Sequence, residues 1–370
     1  SIVLIIAIII NGVIIIKIRI YRKKQKTQIP KYVPEMKLEY YREIPRNNAT
    51  PGEALRLINK SISDITSADI GKIFSAGLLD LNLKGYIQID VNEQQKKEII
   101  IRQTTKEIKD DEQLGEEKNI YDFIKNIKNI ENGITIKELQ KYIEKYPTKI
   151  EKLTDNMNKE ISKGLKENEL IDEKAKKEYT KYSEGQIIYV VLIMFITIFS
   201  VALLATMPKI NYIVKISMVV TIITTITGLV QSIKTSKKIN VFTQKGVNEI
   251  EEWNGLKKYM KDYSLLHEKE VPAVAVWEKY LVFATAFGIS KEVIKQLKLV
   301  YPNFEDISTI NSTTIFIAMN TDFSRSFSSA INTSISSSYS SATGGGGGFS
   351  GGGGGGRRPV VEVEVDKIYL

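Results

Sequence analysis

Few residues in this chain could carry out acid–base or nucleophilic chemistry. It has no cysteine and a single histidine, His267, which stands beside Glu268 and Glu270. A histidine next to carboxylates is a candidate general base, but it needs a nucleophile within hydrogen-bond reach. No nucleophile elbow accompanies it, and the lack of cysteine excludes disulfides, thiolate zinc sites and iron–sulfur clusters. The sequence therefore predicts no catalytic residue, no metal site and no cofactor, and a protein that is not an enzyme.

Two glycine runs, 344–348 and 351–356, are the other pattern that could bind a ligand, because glycine-rich loops cradle phosphates. A phosphate loop also requires a Gly-Lys-Ser/Thr ending between a strand and a helix, and this chain has no such ending there. The surrounding Ser, Thr, Asn and Gly cannot bury enough apolar surface to fold. We therefore expect a disordered tail at 305–358, followed by a short strand in the alternating residues 359–370.

Three apolar stretches dominate the remaining sequence. Residues 1–16 and 187–207 contain no charged side chain, and 212–231 contains only Lys215. A helix needs about 20 apolar residues to cross the hydrocarbon of a bilayer. We expect three transmembrane helices, of which the first is truncated at the start of the chain and the other two form a hairpin. A signal peptide is disfavoured, because its positive charge would precede the first apolar stretch.

Lysine and arginine residues flank all three apolar stretches. Basic residues next to a membrane segment favour the cytoplasmic side. The larger basic clusters can all face the cytoplasm together, which predicts a bacterial inner membrane protein with most of this chain inside the cell and the lipid bilayer as a partner. The predicted membrane-interface anchors are Lys17, Arg19, Arg22, Lys23, Lys24, Lys209, Lys215, Lys234, Lys237 and Lys238.

The segment between the first two apolar stretches is typical of winged-helix proteins. A basic, proline-marked linker at 17–45 precedes helices and a β-hairpin at 46–105. Thr50 is expected to cap the first helix, with Glu53 three residues later completing a capping box. The helical pattern partly recurs at 116–175. We therefore expect two cytoplasmic winged-helix-like domains.

Winged helices often bind DNA, but the side chains of the second helix argue against that partner. Its polar face offers Asp69, Lys72, Asp80 and Lys84, a balanced set without arginine. A recognition helix usually supplies Arg, Asn or Gln to base edges and a basic rim to phosphates. The pattern favours a face that packs or that binds a protein partner.

A mostly helical cytoplasmic region is expected at 241–304. Within it, 271–288 is almost long enough to span a bilayer, but Glu278 and Lys279 near its centre would be costly in lipid. We expect a buried or interfacial helix there. The residues predicted to serve in interaction or packing are Trp253, Trp277, Glu278 and Tyr280.

Several segments are distinctive in combination. They are the residues 40–45, 50–54, 78–87 and 276–284, the central apolar hairpin and the Ser/Gly-rich tail. This combination resembles the YciQ-like predicted bacterial membrane proteins, a family with a domain of unknown function. The resemblance implies an extracytoplasmic, β-rich N-terminal domain before the first apolar stretch, and it carries no known catalytic residue.

The predicted fold class is a mainly α membrane protein with small β wings, made of transmembrane helices and cytoplasmic winged-helix-like domains. The predicted function is that of a non-enzymatic, membrane-anchored scaffold or signal-coupling protein that binds a protein partner. Two alternatives remain open, a membrane-tethered DNA-binding regulator and an accessory subunit of a membrane enzyme or transporter.

Overall fold

The computed structural model describes seven segments of the chain, together with isolated helical positions outside them. The segments are 32–61, 66–92, 98–109, 114–180, 241–263, 274–300 and 327–334. The helices are α1 (Pro51–Ile58), α2 (Ser67–Leu83), α3 (Glu116–Lys125), α4 (Ile136–Lys145), α5 (Pro147–Glu167), α6 (173–180), α7 (Gln244–Asp262), α8 (Val274–Phe287), α9 (Ser290–Val300) and α10 (327–334). The strands are β1 (Ile87–Asn92), β2 (Glu98–Gln103) and β3 (Ile134–Thr135).

Local sequence signals explain where the first two helices begin and end. Thr50 caps α1 by accepting a hydrogen bond from the Glu53 amide, and Pro51 occupies the first turn, where its missing N–H is not needed. Thr66 caps α2 in the same way. Gly85 follows α2 with a φ of 77°, a left-handed conformation that glycine adopts without strain. The helix therefore ends there and the chain turns into β1.

A small antiparallel sheet, in the order β1-β2-β3, follows α2. The β1–β2 hairpin predicted from the alternating sequence is confirmed, with Ile89 opposite Ile101 and both side chains buried. β3 pairs with the other edge of β2, with Ile134 opposite Ile101. The segments 46–105 and 116–175, expected as two separate domains, thus contribute to one sheet.

The hydrophobic core lies where α8 packs against α1 and α2. Leu57, Ile73, Phe74 and Leu281 are fully buried in it. Helix α3 packs between α2 and α5, and α7 packs against α1, α8 and α9. Of the residues 271–288, expected as a buried or interfacial helix, Val274–Phe287 form α8 and contribute to this core.

The prediction of transmembrane helices is wrong, and the fold class is corrected to a mainly helical protein with a three-stranded sheet. Among the residues that the structure describes, no helix combines the length and the apolar character needed to cross a membrane. The strongly apolar helix α8 has 14 residues, which gives about 21 Å against the roughly 30 Å of a bilayer core. The stretches 1–16, 187–207 and 212–231 lie outside the described residues, apart from isolated helical positions.

Helix α10 lies inside the stretch 305–358 that was expected to be disordered. Phe327, Ala330, Ile331 and Ser334 recur at helical spacing and are each at most 2% exposed. This spacing places all four side chains on one helix face. Three apolar residues in a serine-rich background are too few to change the local composition, which is why composition alone predicts disorder here. The glycine runs and residues 359–370 lie outside the described part of the chain.

Candidate coupling site: the strap, the junction and the buried charges around α1

An irregular segment, residues 33–46, lies against α7 and is called the strap here. Its backbone amides donate to side chains of that helix, from Glu35 to Asn248 Oδ1 at 3.0 Å and from Leu38 to Glu251 Oε1 at 3.3 Å. Further along, the Tyr40 hydroxyl donates to Asp262 at 3.3 Å. The strap was expected to be a linker, but it is fixed to a helix more than 200 residues away in the sequence.

Two tyrosines add to the attachment of the strap. Gly255 of α7 lets the strap approach closely, because a Cβ at that position would lie 2.9 Å from Cβ of Tyr41. The Tyr280 hydroxyl of α8 donates a hydrogen bond to the carbonyl of Arg42. The strap is thus bonded to both α7 and α8.

A second set of hydrogen bonds joins the chain before and after the central apolar stretches. The Asp172 amide donates to the Val241 carbonyl at 2.8 Å, and the Thr243 amide donates to the Leu170 carbonyl at 3.1 Å. Ile171 and Phe242 form an antiparallel β-bridge between these bonds. The segments that lead into α6 and into α7 therefore lie side by side.

The strap begins at the same place. The Gln244 side-chain amide donates to the Val33 carbonyl at 2.7 Å, and it donates to Asn248 Oδ1 at 3.0 Å. Asn248 in turn accepts the Glu35 amide. Residues 33–35, 170–172 and 241–244, called the junction from here on, thus form one hydrogen-bonded cluster.

Arg46 ends the strap and binds two buried carboxylates. Its guanidinium lies 2.5 Å from Glu53 Oε2 on α1 and 3.4 Å from Glu249 Oε1 on α7. Glu249 also accepts the indole N–H of Trp253 at 3.2 Å. The Glu53 carboxylate therefore pairs with Arg46, where the sequence led us to expect a capping box with Thr50. Burial raises the pKa of Glu53, and the Arg46 charge opposes that rise.

Glu116, the first residue of α3, lies against the start of α1. One of its carboxylate oxygens accepts the Gly52 amide at 2.7 Å. The other oxygen, Oε2, has no hydrogen-bond partner among the described residues. Burial and the nearby charge of Glu53 raise the pKa of Glu116 to about 7, although the Thr50 hydroxyl and the Gly52 amide favour the charged form. Glu116 therefore titrates near neutral pH.

Glu117, the next residue, connects α3 to the end of α2. Lys84 lies 3.0 Å from its carboxylate and 2.5 Å from that of Asp80. Burial and the Asp80 charge raise the pKa of Glu117 well above its usual value, and the Lys84 charge opposes this rise. The two adjacent glutamates thus connect α3 to α1 and to α2 respectively.

This arrangement is suited to holding elements together and to responding to protons. Its carboxylates face Arg46, Lys84 and backbone amides in the interior, because a buried charge needs such partners. Within the seven described segments, no group of three or more possible metal ligands occurs. The residues at hand can hold the strap, α1, α3 and α7 together, and Glu116 can take up or release a proton near neutral pH.

The structure places the residues predicted from the sequence in two groups. Trp253, Trp277 and Tyr280 are almost fully buried in the core between α7 and α8, and Glu278 is partly buried beside them. His267 and all ten predicted membrane-interface anchors lie outside the described residues.

Arg46, Glu116, Glu117 and Glu249 were not predicted to come together, because they belong to segments far apart in the chain. The sequence signal was the position of Glu53, which suggested a cap. The structure shows that Glu53 is buried, and a buried carboxylate needs a cationic partner.

Neither a curated protein nor a solved structure matches this chain. Residues 37–297, which carry most of the strap and all the buried charges described above, match the family described as the C-terminal domain of DUF2207, a predicted membrane protein. The resemblance noted from the sequence is thereby confirmed at the level of a membrane protein family with a domain of unknown function. With well over half of its length matched, the chain belongs to the DUF2207 family of predicted membrane proteins.

Proposed function

We propose that this protein is a non-enzymatic, membrane-associated scaffold that couples the positions of its membrane-proximal segments through the helical domain. The observation that carries the proposal is the junction. Residues 33–35, 170–172 and 241–244 are the points where the described domain connects to the segments that contain the apolar stretches. Residues 241–244 are bonded to both of the other segments, so a displacement of 33–35 or of 170–172 acts on the start of α7 and through it on the third segment.

The charges outside the described segments support a membrane on the junction side. Lys23 and Lys24 precede the strap in sequence, and Lys237 and Lys238 precede α7. Each basic residue near an anionic lipid surface contributes about 1 kcal/mol of attraction. The cytoplasmic leaflet of the bacterial inner membrane is the anionic surface that this distribution fits, and a cytoplasmic helical domain is part of the proposal.

The use of the buried charges supports a coupling role over catalysis. Arg46 binds Glu53 and Glu249 together, so that one side chain joins the strap to α1 and α7. Buried ion pairs of this kind often contribute more to a specific arrangement than to net stability. A shift of the strap would separate Arg46 from Glu53 and would leave the carboxylate at the start of α1 without its cation.

The lysines of α2 support a protein partner over nucleic acid. Lys72 lies 2.8 Å from Asp69, and Lys84 is shared between Asp80 and Glu117. A lysine whose charge is already neutralised releases no counterion from DNA and adds little affinity. The face of this helix is therefore better suited to packing and protein contact.

The absence of native cysteine permits a direct test of the junction in membranes. Ile171 and Phe242 are paired in a β-bridge, which puts their Cα atoms about 4.5–5.5 Å apart, within the range of a disulfide. We expect Ile171→Cys with Phe242→Cys to form an intrachain disulfide in native membranes under mild oxidation. The matched controls are each single variant and Ile171→Cys paired with Lys137→Cys on α4. A double variant that cross-links no faster than the controls would contradict the junction.

Sidedness is tested with a second cysteine variant. Lys137 is exposed on α4, and a cysteine there is expected to react with a membrane-impermeant maleimide only after the cells are opened. Labelling in intact spheroplasts would place the domain on the outer side and refute the cytoplasmic arrangement. Cell fractionation tests the membrane association itself, and the full chain is expected to sediment with the membranes.

A further inference from the structure

Helix α10 occupies a groove that other parts of the chain have already built. Phe327 lies against Phe74 of α2, with ring centroids 5.0 Å apart. Phe74 in turn contacts Phe123 of α3, which contacts Tyr142 of α4. These rings contact one another without α10, so they form one wall of the groove independently of it.

One turn before Phe74, the same face of α2 lets the backbone of α10 lie directly on the helix. A Cβ at Gly71 would overlap the backbone and the hydroxyl of Ser328, so only glycine leaves room at that position. At the far end, the Ser334 hydroxyl donates to the Ile143 carbonyl of α4 at 2.7 Å. That carbonyl lies in the last turn of α4 and also accepts the Tyr146 amide at 3.4 Å. It therefore keeps a hydrogen bond when Ser334 leaves.

The groove is formed by residues inside the family match, whereas α10 lies outside it. Gly71, Phe74 and Ile143 lie inside the family match at 37–297, whereas α10 lies beyond it. An isolated helix of eight residues is not stable in water, so α10 gains its helical form from the groove. Its side chains follow the i, i+3, i+4, i+7 pattern of helices that bind in grooves.

We propose that this groove is a docking site for short amphipathic helices and that α10 is a detachable occupant supplied by the chain itself. The fitting partner carries an aromatic residue, a small residue, a β-branched residue and a serine in the order of Phe327, Ala330, Ile331 and Ser334. As an intrachain ligand, α10 has an effective concentration in the millimolar range. It therefore excludes weaker helices and yields to a stronger one.

The test uses the full chain and a fluorescein-labelled peptide of residues 323–337. Phe327→Ala with Ile331→Ala in the full chain removes the two large anchors and leaves the groove open. Fluorescence anisotropy is expected to show saturable binding of the peptide to this variant. Binding to the unchanged chain is expected to be at least tenfold weaker, because α10 competes. The control peptide carries the same two substitutions and is expected not to bind.

Hydrogen exchange of the unchanged chain provides a second, independent measurement. The α10 amides are expected to exchange at least a hundredfold faster than those of α2, since α10 detaches while the domain stays folded. Peptide binding to the double variant no tighter than to the unchanged chain would overturn the proposal. If the double variant proves unfolded, exchange decides alone, and exchange of α10 only together with α2 would then identify α10 as an inseparable part of the core.

Discussion

Helix α7 presents two faces that are held by different forces. On one face, Trp253 packs against aromatic rings of α8, with its ring centroid 4.7 Å from that of Phe283 and 5.9 Å from that of Phe287. On the other face, Asn248 and Glu251 accept backbone amides of the strap. The first face excludes water around apolar surface, whereas the second supplies acceptors to a segment without regular structure.

The contrast shows why the two regions differ in what they can do. Apolar packing is nondirectional and tolerates small adjustments of side-chain shape. The strap depends on distances and charges, because Arg46 must reach both Glu53 and Glu249 at once. We infer that the aromatic face provides most of the stability and that the strap and its charges provide the arrangement that can respond to a displacement or a proton.

The largest expected effect comes from the aromatic face. Trp277 is fully buried and contacts Tyr263 at 4.8 Å and Tyr280 at 5.3 Å between ring centroids. Trp277→Ala is expected to lower the free energy of unfolding by about 4 kcal/mol, through lost burial and the cavity left behind. Urea unfolding of the full chain, followed by circular dichroism, measures this change.

A matched substitution at the same position separates packing from hydrogen bonding. The Trp277 indole N–H has no acceptor among the described residues. Trp277→Phe therefore loses only volume, and we expect a cost of about 1–2 kcal/mol. A cost as large as that of the alanine variant would mean that the indole forms a bond essential to the fold, and the proposed contrast between the two faces would then fail.

The second largest effect comes from the ion pairs of Arg46 at the end of the strap. Arg46→Ala leaves Glu53 and Glu249 buried without their cation, and the expected loss is about 3 kcal/mol. Arg46→Lys keeps the charge but cannot bridge two carboxylates with a planar fork, so we expect an intermediate loss of about 1–2 kcal/mol. The same urea titration measures both variants. If Arg46→Ala unfolds like the unchanged chain, the strap is not held by these charges.

Much of the helical core could be predicted from the sequence, because the helices carry apolar stripes and several begin at a threonine cap, and both signals act locally. Thr50 was correctly expected to cap the first helix, and the β-hairpin expected within 46–105 is the β1–β2 hairpin. The strap could not be predicted, since its proline-marked sequence has no periodicity and its hydrogen-bond partners lie on α7, over 200 residues away. In the sequence, a side chain of α7 that accepts a hydrogen bond from the strap cannot be distinguished from one that faces solvent.

The buried charges around α1 could be predicted from the sequence only in part, for a related reason. Glu116 and Glu117 begin α3, and acidic residues in a first turn are common because they favour a helix N-terminus whether or not they are buried. Their burial depends on α1 and α2, which pack on them only in the folded domain. The prediction of membrane helices rested on apolar composition, and among the described residues no helix is both long and apolar enough to cross a membrane.

The third prediction tests the proton response of the charged region. The pKa of Glu116 is raised from 4.5 to about 7 by burial and by Glu53. The group is thus protonated in both states below pH 4.5, and the charged form that appears above this pH is disfavoured in the fold. We expect the free energy of unfolding to fall as the pH rises from about 4.5 to about 7, with Glu116 contributing about 3 kcal/mol of the change.

Glu116→Gln is expected to reduce this pH dependence and to stabilise the chain above pH 7. Glu53 and Glu117, whose pKa values are also raised, retain a residual dependence of the same sign. Glu138 offers a control of opposite sign, because bonds from Thr135 lower its pKa. Glu138→Gln should lower stability only above the range in which that carboxyl titrates. An unchanged pH profile in Glu116→Gln would exclude Glu116 as the titrating group.

The smallest effects come from two threonine caps that differ mainly in burial. Thr50 caps α1 among the buried charges around that helix. Thr135 caps α4 in a capping box at the surface. Thr135→Ala loses one exposed bond and should cost about 1 kcal/mol or less. Thr50→Ala also removes the hydroxyl that favours charged Glu116, so we expect about 2 kcal/mol. Serine at either position keeps the hydroxyl and should restore most of the loss. Equal costs at the two caps would show that Thr50 acts only as a local cap, and that the cluster around α1 is less strongly connected than its distances suggest.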